Sequence, residues 1–297
     1  MVKSVAGTGI LRNYDILVSS AAAASGAVRD GVFRFDAETG HLRGRFGCAE
    51  IRDPRGIRLS PDGRYVVVNN GDNRILKIDP KAGSLIDALP PLAGLNPGGG
   101  KFGSDGRYYV GSRTLKSVIA FDLSGKRGPS TFVPAGLIAF PRGIAISPTR
   151  DTYVASGTDP ATGEGRNTIL RFSPSGRFDD SFHVEDEGLS PLDLEIGPNG
   201  NVFAASEFPF GHPGALTTVR EYDRQTGRLL RVFDAGADAS ARRITRMPRG
   251  ITFGPDGQLY SAGADNVVRY HFADTRLDRV VLLSPDILVQ SVIFIPN

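Results

Sequence analysis

The sequence predicts an all-β fold, a six-bladed β-propeller with four antiparallel strands in each blade. Three observations predict it: a repeated motif with the period of a blade, short strand-like runs between glycine turns, and a C-terminal segment that matches the start of the repeat. The 297 residues are 40% hydrophobic and 23% charged, which is the balance of an ordinary globular protein. The 37 glycines and 20 prolines are typical of a chain with many turns.

The repeated motif begins with proline and ends at a turn. Its clearest copies span 54–63, 141–148 and 248–257 and begin Pro-Arg-Gly-Ile, and weaker copies start at Pro97 and Pro191. The starts lie 43, 44, 50 and 57 residues apart, a spacing found in propellers and in helical arrays. Because short aromatic and β-branched runs separate the copies and no stretch keeps a helical period, the propeller is favoured.

The two ends of the chain are expected to share one blade. The runs 15–20, 31–36 and 42–46 supply a second, third and fourth strand, and the tail 291–297 aligns with the first strand of the repeat. Six blades follow, in a single domain spanning 1–297. Pairing of the two ends closes the ring and removes the open sheet edges.

Charge and cysteine content narrow the function classes. The net charge is +3 and the charges are interspersed, so total charge gives no argument for nucleic acid. The single cysteine, Cys48, excludes an internal disulfide and any multi-cysteine metal site. The sequence has neither a signal-peptide core nor an apolar run long enough for a membrane span, so we expect a cytoplasmic protein with no membrane partner.

The repeat resembles a known propeller group. Pro-Arg-Gly-Ile, then Pro-Asp-Gly, then a tyrosine-containing strand and Asn-x-Ile/Val resembles NHL-type repeats and the related propellers of the gluconolactonase and streptogramin lyase groups, most clearly at 247–270. A WD-type propeller is disfavoured because the chain has no tryptophan. The resemblance implies architecture more strongly than function, since such propellers include both enzymes and binding proteins.

The residue after the motif's proline is arginine in alternate blades. The first strands begin at one face of the ring, called here the top face, so Arg55, Arg142 and Arg249 are expected as a threefold set around the channel mouth. Three guanidinium groups aimed at one volume repel each other unless an anion or carboxylates lie between them. Two interpretations stay open: binding of a carboxylate or phosphate, and pairing with local carboxylates such as Asp53 or Asp193.

The loops after the second strands, 19–30, 156–167 and 206–216, also belong to the top face. Unequal loop length on one face is typical of a functional site. The third loop contains Glu207 and His212, an acid and a base suited to a metal-independent hydrolysis or elimination. The alternative interpretation is that both side chains make ordinary surface hydrogen bonds.

A metal is not expected. Gluconolactonase-like proteins hold a divalent metal with Glu, Asn and Asp at the starts of the inner strands, where this chain mostly has Arg, Gly or Leu. The oxygen donors left are Asp193, Asn96 and Asn69 or Asn70, too few carboxylates for calcium beside three cations. We therefore expect no cofactor and include Asp193 and Asn70 among the ligand-binding residues, and a metal-dependent lactonase stays as a second alternative.

The predicted function is binding of a small anionic organic molecule in a top-face pocket, with hydrolase or lyase chemistry. Streptogramin lyase-like proteins use a His and a Glu with magnesium, but Glu207 and His212 match no motif of that group. The main alternative is an interaction scaffold for a peptide or single-stranded RNA. In favour of this alternative, the basic face would include four more arginines. Against it, the top loops show no evident aromatic platform for stacking bases, since their chief aromatic residues are Phe208 and Phe210. Those arginines are Arg113, Arg242, Arg243 and Arg246.

Overall fold

The computed structural model describes residues 9–21, 29–159, 161–207, 218–234 and 248–297. These residues form six four-stranded antiparallel sheets, one for each blade, and a short 3-10 helix at Leu11–Asn13. Blade 1 contains β1 (Tyr14–Ser20), β2 (Gly31–Asp36) and β3 (Leu42–Phe46). Blade 2 contains β4 (Gly56–Leu59), β5 (Val66–Asn69), β6 (Ile75–Ile78) and β7 (Leu85–Ala88). Blade 3 contains β8 (Pro97–Phe102), β9 (Tyr108–Ser112), β10 (Ser117–Phe121) and β11 (Ser130–Val133).

The second half of the chain continues the pattern. Blade 4 contains β12 (Phe140–Ile146), β13 (Thr152–Gly157), β14 (Thr168–Phe172) and β15 (Phe178–Asp179). Blade 5 contains β16 (Pro191–Ile196), β17 (Val202–Ser206), β18 (Thr218–Tyr222) and β19 (Leu229–Phe233). Blade 6 contains β20 (Gly250–Phe253), β21 (Leu259–Ala262), β22 (Asn266–Tyr270) and β23 (Leu277–Leu283), and the last strand, β24 (Val289–Pro296), returns to blade 1.

The ring closes where the two ends of the chain meet. β24 pairs antiparallel with β1, from Tyr14 opposite Pro296 to Ser20 opposite Val289, and takes the innermost place in blade 1. The predicted propeller with six blades closed by the C-terminal strand is therefore confirmed.

The core of the described chain is divided among the contacts between adjacent blades. Six clusters of buried side chains each join two neighbouring blades. In β5, Val66 and Val68 pack toward blade 1 whereas Val67 packs toward blade 3. This division follows from the two-residue period of a strand, since successive side chains point to opposite faces of the sheet.

The turns between first and second strands have the conformation that their sequences predict. Gly63 and Gly257 have φ of +70° and +71°, the left-handed region that glycine adopts without a steric penalty. Ser60 N donates to Tyr65 O at 2.8 Å across the turn at 61–63. These turns lie at the bottom face, opposite the starts of the first strands, and chain reversal explains them.

The innermost strands lie very close together around the channel. A Cβ on Gly143 would lie 2.4 Å from Asp193 Cα, and a Cβ on Gly99 would lie 3.1 Å from Gly143 Cα. The close approach of the neighbouring backbone therefore requires glycine at 143 and leaves little room for a side chain at 99.

Searching the described residues for a helix both long and apolar enough to cross a bilayer yields none.

Candidate anion-binding site

A cavity of about 40 Å³ lies at the mouth of the channel, which we call the mouth cavity. Its basic lining comes from three blades: Arg55 and Arg58 from blade 2, Arg113 from blade 3, and Arg249 from the segment that leads into blade 6. The remaining walls are formed by Gly56, Gly99, Leu192, Asp193, Gln290 and Ser291. Because several waters or one small head group fit such a volume, the described cavity suits part of a ligand rather than a large molecule.

Two of the predicted arginines lie at this cavity with a carboxylate partner each. Arg55 donates to Asp53 Oδ2 from Nε at 3.0 Å and from Nη2 at 2.8 Å, and its Nη1 donates to Asn96 Oδ1. Arg249 donates to Gln290 Oε1 at 3.1 Å and lies 3.5 Å from Glu207 Oε1. The predicted pairing with Asp53 is therefore present, and the contact between Arg249 and Glu207 is at the long end of the hydrogen-bond range.

The third predicted arginine, Arg142, and the neighbouring Arg113 have no carboxylate partner among the described residues. Both guanidinium groups lie over the ring of Phe140, at 5.3 Å for Arg142 and 5.7 Å for Arg113 from the ring centroid. The Nε atoms of both arginines are buried without a hydrogen-bond partner in the part of the chain described. Their contact with the ring is a cation–π interaction, which offsets only part of the cost of burying a charge.

The pKa of Arg113 is affected by burial and by the positive charges of Arg55, Arg142 and Arg249. Burial lowers the pKa of Arg113, and the positive charges of Arg55, Arg142 and Arg249 lower it further, to about 9, against a smaller opposing effect of Asp53. Burial also lowers the pKa of Arg142, where Glu207 opposes the shift and Arg249 adds to it. Four guanidinium groups thus face two paired carboxylates, Asp53 and Glu207, and two positive charges stay unbalanced within the described site.

The floor of the mouth cavity is an ion pair that crosses the channel. Arg58 of blade 2 donates from Nη2 to Oδ1 and Oδ2 of Asp193 in blade 5 at 3.2 and 3.1 Å, and both side chains are buried. Arg58 Nη1 also donates to Ser291 Oγ at 3.0 Å. Below this pair, Lys101 donates to Glu195. The Arg58–Asp193 pair joins blades 2 and 5 across the ring, and the Lys101–Glu195 pair joins blades 3 and 5.

The structure gives Asp193 and Asn70 other partners than the predicted ligand. Asp193 lines the mouth cavity, but its carboxylate accepts from Arg58 and, through Oδ2, from Ile251 N at 3.2 Å. Asn70 is fully buried, accepts from Arg52 N at 2.7 Å and donates to Glu50 O at 3.0 Å. Asp193 therefore neutralises Arg58, and Asn70 holds the loop that leads into blade 2.

Of the predicted acid and base, Glu207 and His212, the structure describes Glu207. Glu207 directly follows β17 at the top face, is buried, and donates its backbone N–H to Ser190 O at 3.0 Å. His212 lies outside the described residues, as do Phe208, Phe210, Arg242, Arg243 and Arg246. Of the predicted pair, the structure thus places the carboxylate within 3.5 Å of the Arg249 guanidinium.

The donor set does not fit a divalent metal at the channel mouth. Asn96 Oδ1 accepts from Arg55, and Asn69 donates to Gly98 O at 2.7 Å and accepts from Tyr108 at 3.1 Å. Asp193 is paired with Arg58. Across the described ranges, no three carboxylate, imidazole or thiol side chains come together where they could hold a metal ion. The oxygen donors named from the sequence are thus engaged, next to several cations.

Sequence comparisons find little. No family model matches the chain. Among curated proteins, peptidylglycine alpha-amidating monooxygenase of Rattus norvegicus is 25% identical over 143 residues, which cover 44% of this chain and 14% of that protein. The chain therefore spans a small fraction of this relative's length.

Solved structures show the fold. Streptogramin B lyase matches with a TM-score of 0.57 and 17% identity, over 76% of this chain and 68% of the lyase. The periplasmic gluconolactonase of Pseudomonas aeruginosa matches with a TM-score of 0.60 and 14% identity, over 95% of this chain and 99% of the gluconolactonase. A chain of a nidogen and laminin complex matches with a TM-score of 0.71 and 13% identity, over 95% of this chain and 98% of that one. The resemblance to streptogramin lyase and gluconolactonase propellers is thus confirmed, and identities this low show a shared fold alone.

Proposed function

We propose that the chain binds a small organic molecule through an anionic group, held at the channel mouth by Arg55, Arg142 and Arg249. One observation carries the proposal: Arg55, Arg113 and Arg249 line the mouth cavity, Arg142 shares the Phe140 ring with Arg113 beside it, and two of these four have carboxylate partners among the described residues. An anion between them would supply the missing negative charge. Each charge-assisted hydrogen bond to it contributes about 1.5–3 kcal/mol before solvent screening.

The arginines retain donors for such a ligand. Arg55 makes three side-chain hydrogen bonds within the described structure, whereas a guanidinium group has five N–H donors. Arg249 is bound to Gln290 and only loosely to Glu207. Asp53 and Gln290 therefore orient the two guanidinium groups and leave N–H groups for a ligand.

The proposed reaction is a hydrolysis or an elimination without a metal. Glu207 lies 3.5 Å from Arg249, so an anionic group held by Arg249 would bring the rest of the substrate close to a carboxylate base. His212 is proposed as the proton donor. Support comes from the fold, since streptogramin B lyase and a gluconolactonase, both named as enzymes, share it.

The alternative, an interaction scaffold, uses the same basic face, and a fold neighbour comes from a complex of two proteins. Single-stranded RNA is normally bound by stacking its bases on exposed aromatic rings. Phe140, the ring at the described mouth, already has Arg113 and Arg142 over it. The small-molecule ligand is therefore preferred, and salt dependence separates the two, because affinity for RNA falls steeply with log salt.

We expect small carboxylates and phosphates to raise the melting temperature of the protein, and the double variant Arg142→Ala/Arg249→Ala to abolish the shift. A ligand at a hundred times its Kd stabilises by about 2.7 kcal/mol, which a thermal-shift assay detects. Arg64→Gln is the control, because Arg64 lies in a bottom-face turn with a side chain 83% exposed. An equal shift in wild type and double variant would contradict the proposal.

The catalytic part is tested separately with a panel of lactones and aryl esters. Glu207→Gln should retain anion binding and lose turnover. Unchanged turnover in this variant would remove Glu207 from the reaction while leaving the binding site in place.

A further inference from the structure

The mouth cavity brings guanidinium groups to one small volume from three different blades. Arg55 comes from blade 2, Arg113 from the end of β9 in blade 3, and Arg249 from the start of blade 6. A carboxylate is planar and has two oxygens, which suit one bidentate arginine. A phosphoryl group has three terminal oxygens in a pyramid and offers a separate acceptor to each of three arginines.

We propose that the head group bound in the mouth cavity is the phosphoryl group of a small phosphate monoester, and that Arg113 is the residue that selects it over a carboxylate. The inference rests on the proposed function, since it names the chemical class of the anion at the same site. Arg113 is the selecting residue because it lines the cavity and has no carboxylate partner among the described residues.

Charge supports the same class of ligand. Asp53 and Glu207 pair with Arg55 and Arg249, and Asp193 pairs with Arg58. Two charges stay unbalanced among the described residues: Arg113 in the cavity lining, and Arg142 outside the lining but over the same Phe140 ring. A carboxylate neutralises one of them, whereas a phosphate monoester near neutral pH carries almost two negative charges. Since unbalanced charges cost most where water is excluded, the dianion is the better match.

The size and walls of the cavity suit a head group with its substituent outside. A volume of about 40 Å³ accommodates a group of a few atoms, and the ester substituent would extend from the mouth toward the top face. Ser291 lies in the wall and its Oγ accepts from Arg58 at 3.0 Å, so its hydroxyl hydrogen is free to point at a phosphoryl oxygen.

The proposal has a distinct pH dependence. The charged groups that act on Arg113 are Arg55, Arg142, Arg249 and Asp53, and the pKa of Arg113 is about 9. Above that pH Arg113 loses its charge, and below about 6 the monoester loses one of its charges. Affinity should therefore be greatest between about pH 6 and 9 and fall as the pH rises above 9.

The experiment measures Kd by calorimetry for four probes: phenyl phosphate, inorganic phosphate, methyl phenyl phosphate and benzoate. Phenyl phosphate should bind at least about tenfold more tightly than benzoate, which has a planar carboxylate, and than methyl phenyl phosphate, which has a single charge. Arg113→Gln should remove this preference and the loss of affinity above pH 9. Inorganic phosphate binding as tightly as phenyl phosphate would identify free phosphate as the source of the phosphoryl group.

The outcomes separate this inference from the proposed function. If benzoate binds as tightly as phenyl phosphate and Arg142→Ala/Arg249→Ala weakens both, the anion site stands and the phosphoryl inference is overturned. If none of the probes binds, or if the double variant binds them normally, the proposed function fails as well. If Arg113→Gln still prefers phenyl phosphate, the selecting role of Arg113 is overturned. The circular dichroism spectrum of Arg113→Gln shows whether this variant is folded.

Discussion

At the scale of single residues, Arg113 contrasts with arginines that have a carboxylate partner. Arg220 donates twice to Asp186, at 2.9 and 2.8 Å, and Arg58 donates twice to Asp193. Among the described residues, Arg113 lies over the ring of Phe140 without a carboxylate partner, in the field of three other arginines. Buried charges without partners lower stability, and they are a common feature of sites that are completed by a ligand.

This difference gives a prediction about stability without ligand. Arg113→Met should raise the free energy of unfolding by about 1 kcal/mol, because it removes a charge that has no carboxylate partner among the described residues and keeps an apolar contact with Phe140. Arg220→Met is the matched control and should lower it by about 3 kcal/mol, since Asp186 is then buried without its partner. Urea unfolding at pH 7.5 measures both.

The pH dependence provides a second check on Arg113. Because its folded pKa is lowered to about 9, the folded state binds fewer protons than the unfolded state between about pH 9 and the normal arginine pKa. Stability of the wild type should therefore increase relative to Arg113→Met as the pH rises through 9. A similar loss of stability in Arg113→Met and Arg220→Met would show that Arg113 is a structural residue.

At the scale of elements, the inner strands combine glycine with buried ion pairs. Gly99 and Gly143 allow neighbouring inner strands to approach, and Asp193 stands at the corresponding position of blade 5. The Asp193 carboxylate reaches Arg58 across the channel beside Gly99 and Gly143, where a Cβ would lie 3.3 and 2.9 Å from Asp193 Oδ1. The close approach of the inner strands and the ion pair across the channel therefore both depend on glycine at these positions.

We expect Gly143→Ala to destabilise the protein by about 3 kcal/mol. Its Cβ would lie 2.4 Å from Asp193 Cα and 2.8 Å from Leu192 O, so a backbone must move, at the upper end of the cost of overpacking. Gly128→Ala is the control, because a Cβ there meets nothing within 4 Å. Thermal unfolding of both variants gives the comparison, and equal melting temperatures would contradict the close packing of β12 and β16.

At the scale of the whole molecule, β24 joins the two ends of the ring. Val289 and Val292 pack in the cluster between blades 6 and 1, whereas Ile293 and Ile295 pack in the cluster between blades 1 and 2. The strand also forms the hydrogen-bonded ladder with β1. Its side chains therefore belong to two of the contacts between blades.

Removing 289–297 should abolish the cooperative unfolding transition, because both clusters lose buried side chains and β1 becomes an open edge. Removing Asn297 alone is the control, since it loses two hydrogen bonds, to Asn13 O and Arg12 O. The control should keep the transition, with a loss of about 1–2 kcal/mol. A truncated protein that melts like the wild type, as measured by circular dichroism, would show that closure by β24 is dispensable.

The sequence by itself determined the propeller, the number of blades and their closure. Turn motifs such as 61–63 and 255–257 and the alternation of side chains in the strands act over a few residues, and a repeat shows them several times. It also determined that Arg55, Arg142 and Arg249 occupy equivalent places at the top face, because equivalent places in a repeat become equivalent places in a ring.

Only the tertiary structure decided how these arginines are used. Arg113 belongs to the end of a second strand and shares no repeat position with them, so its approach to all three depends on how blades meet around the mouth. Asp193 was expected to pair with one of the predicted arginines or to bind the ligand, and it pairs with Arg58, more than a hundred residues away in the chain. Contacts across a channel depend on its width and on which side chains fill it, and neither is encoded in local spacing.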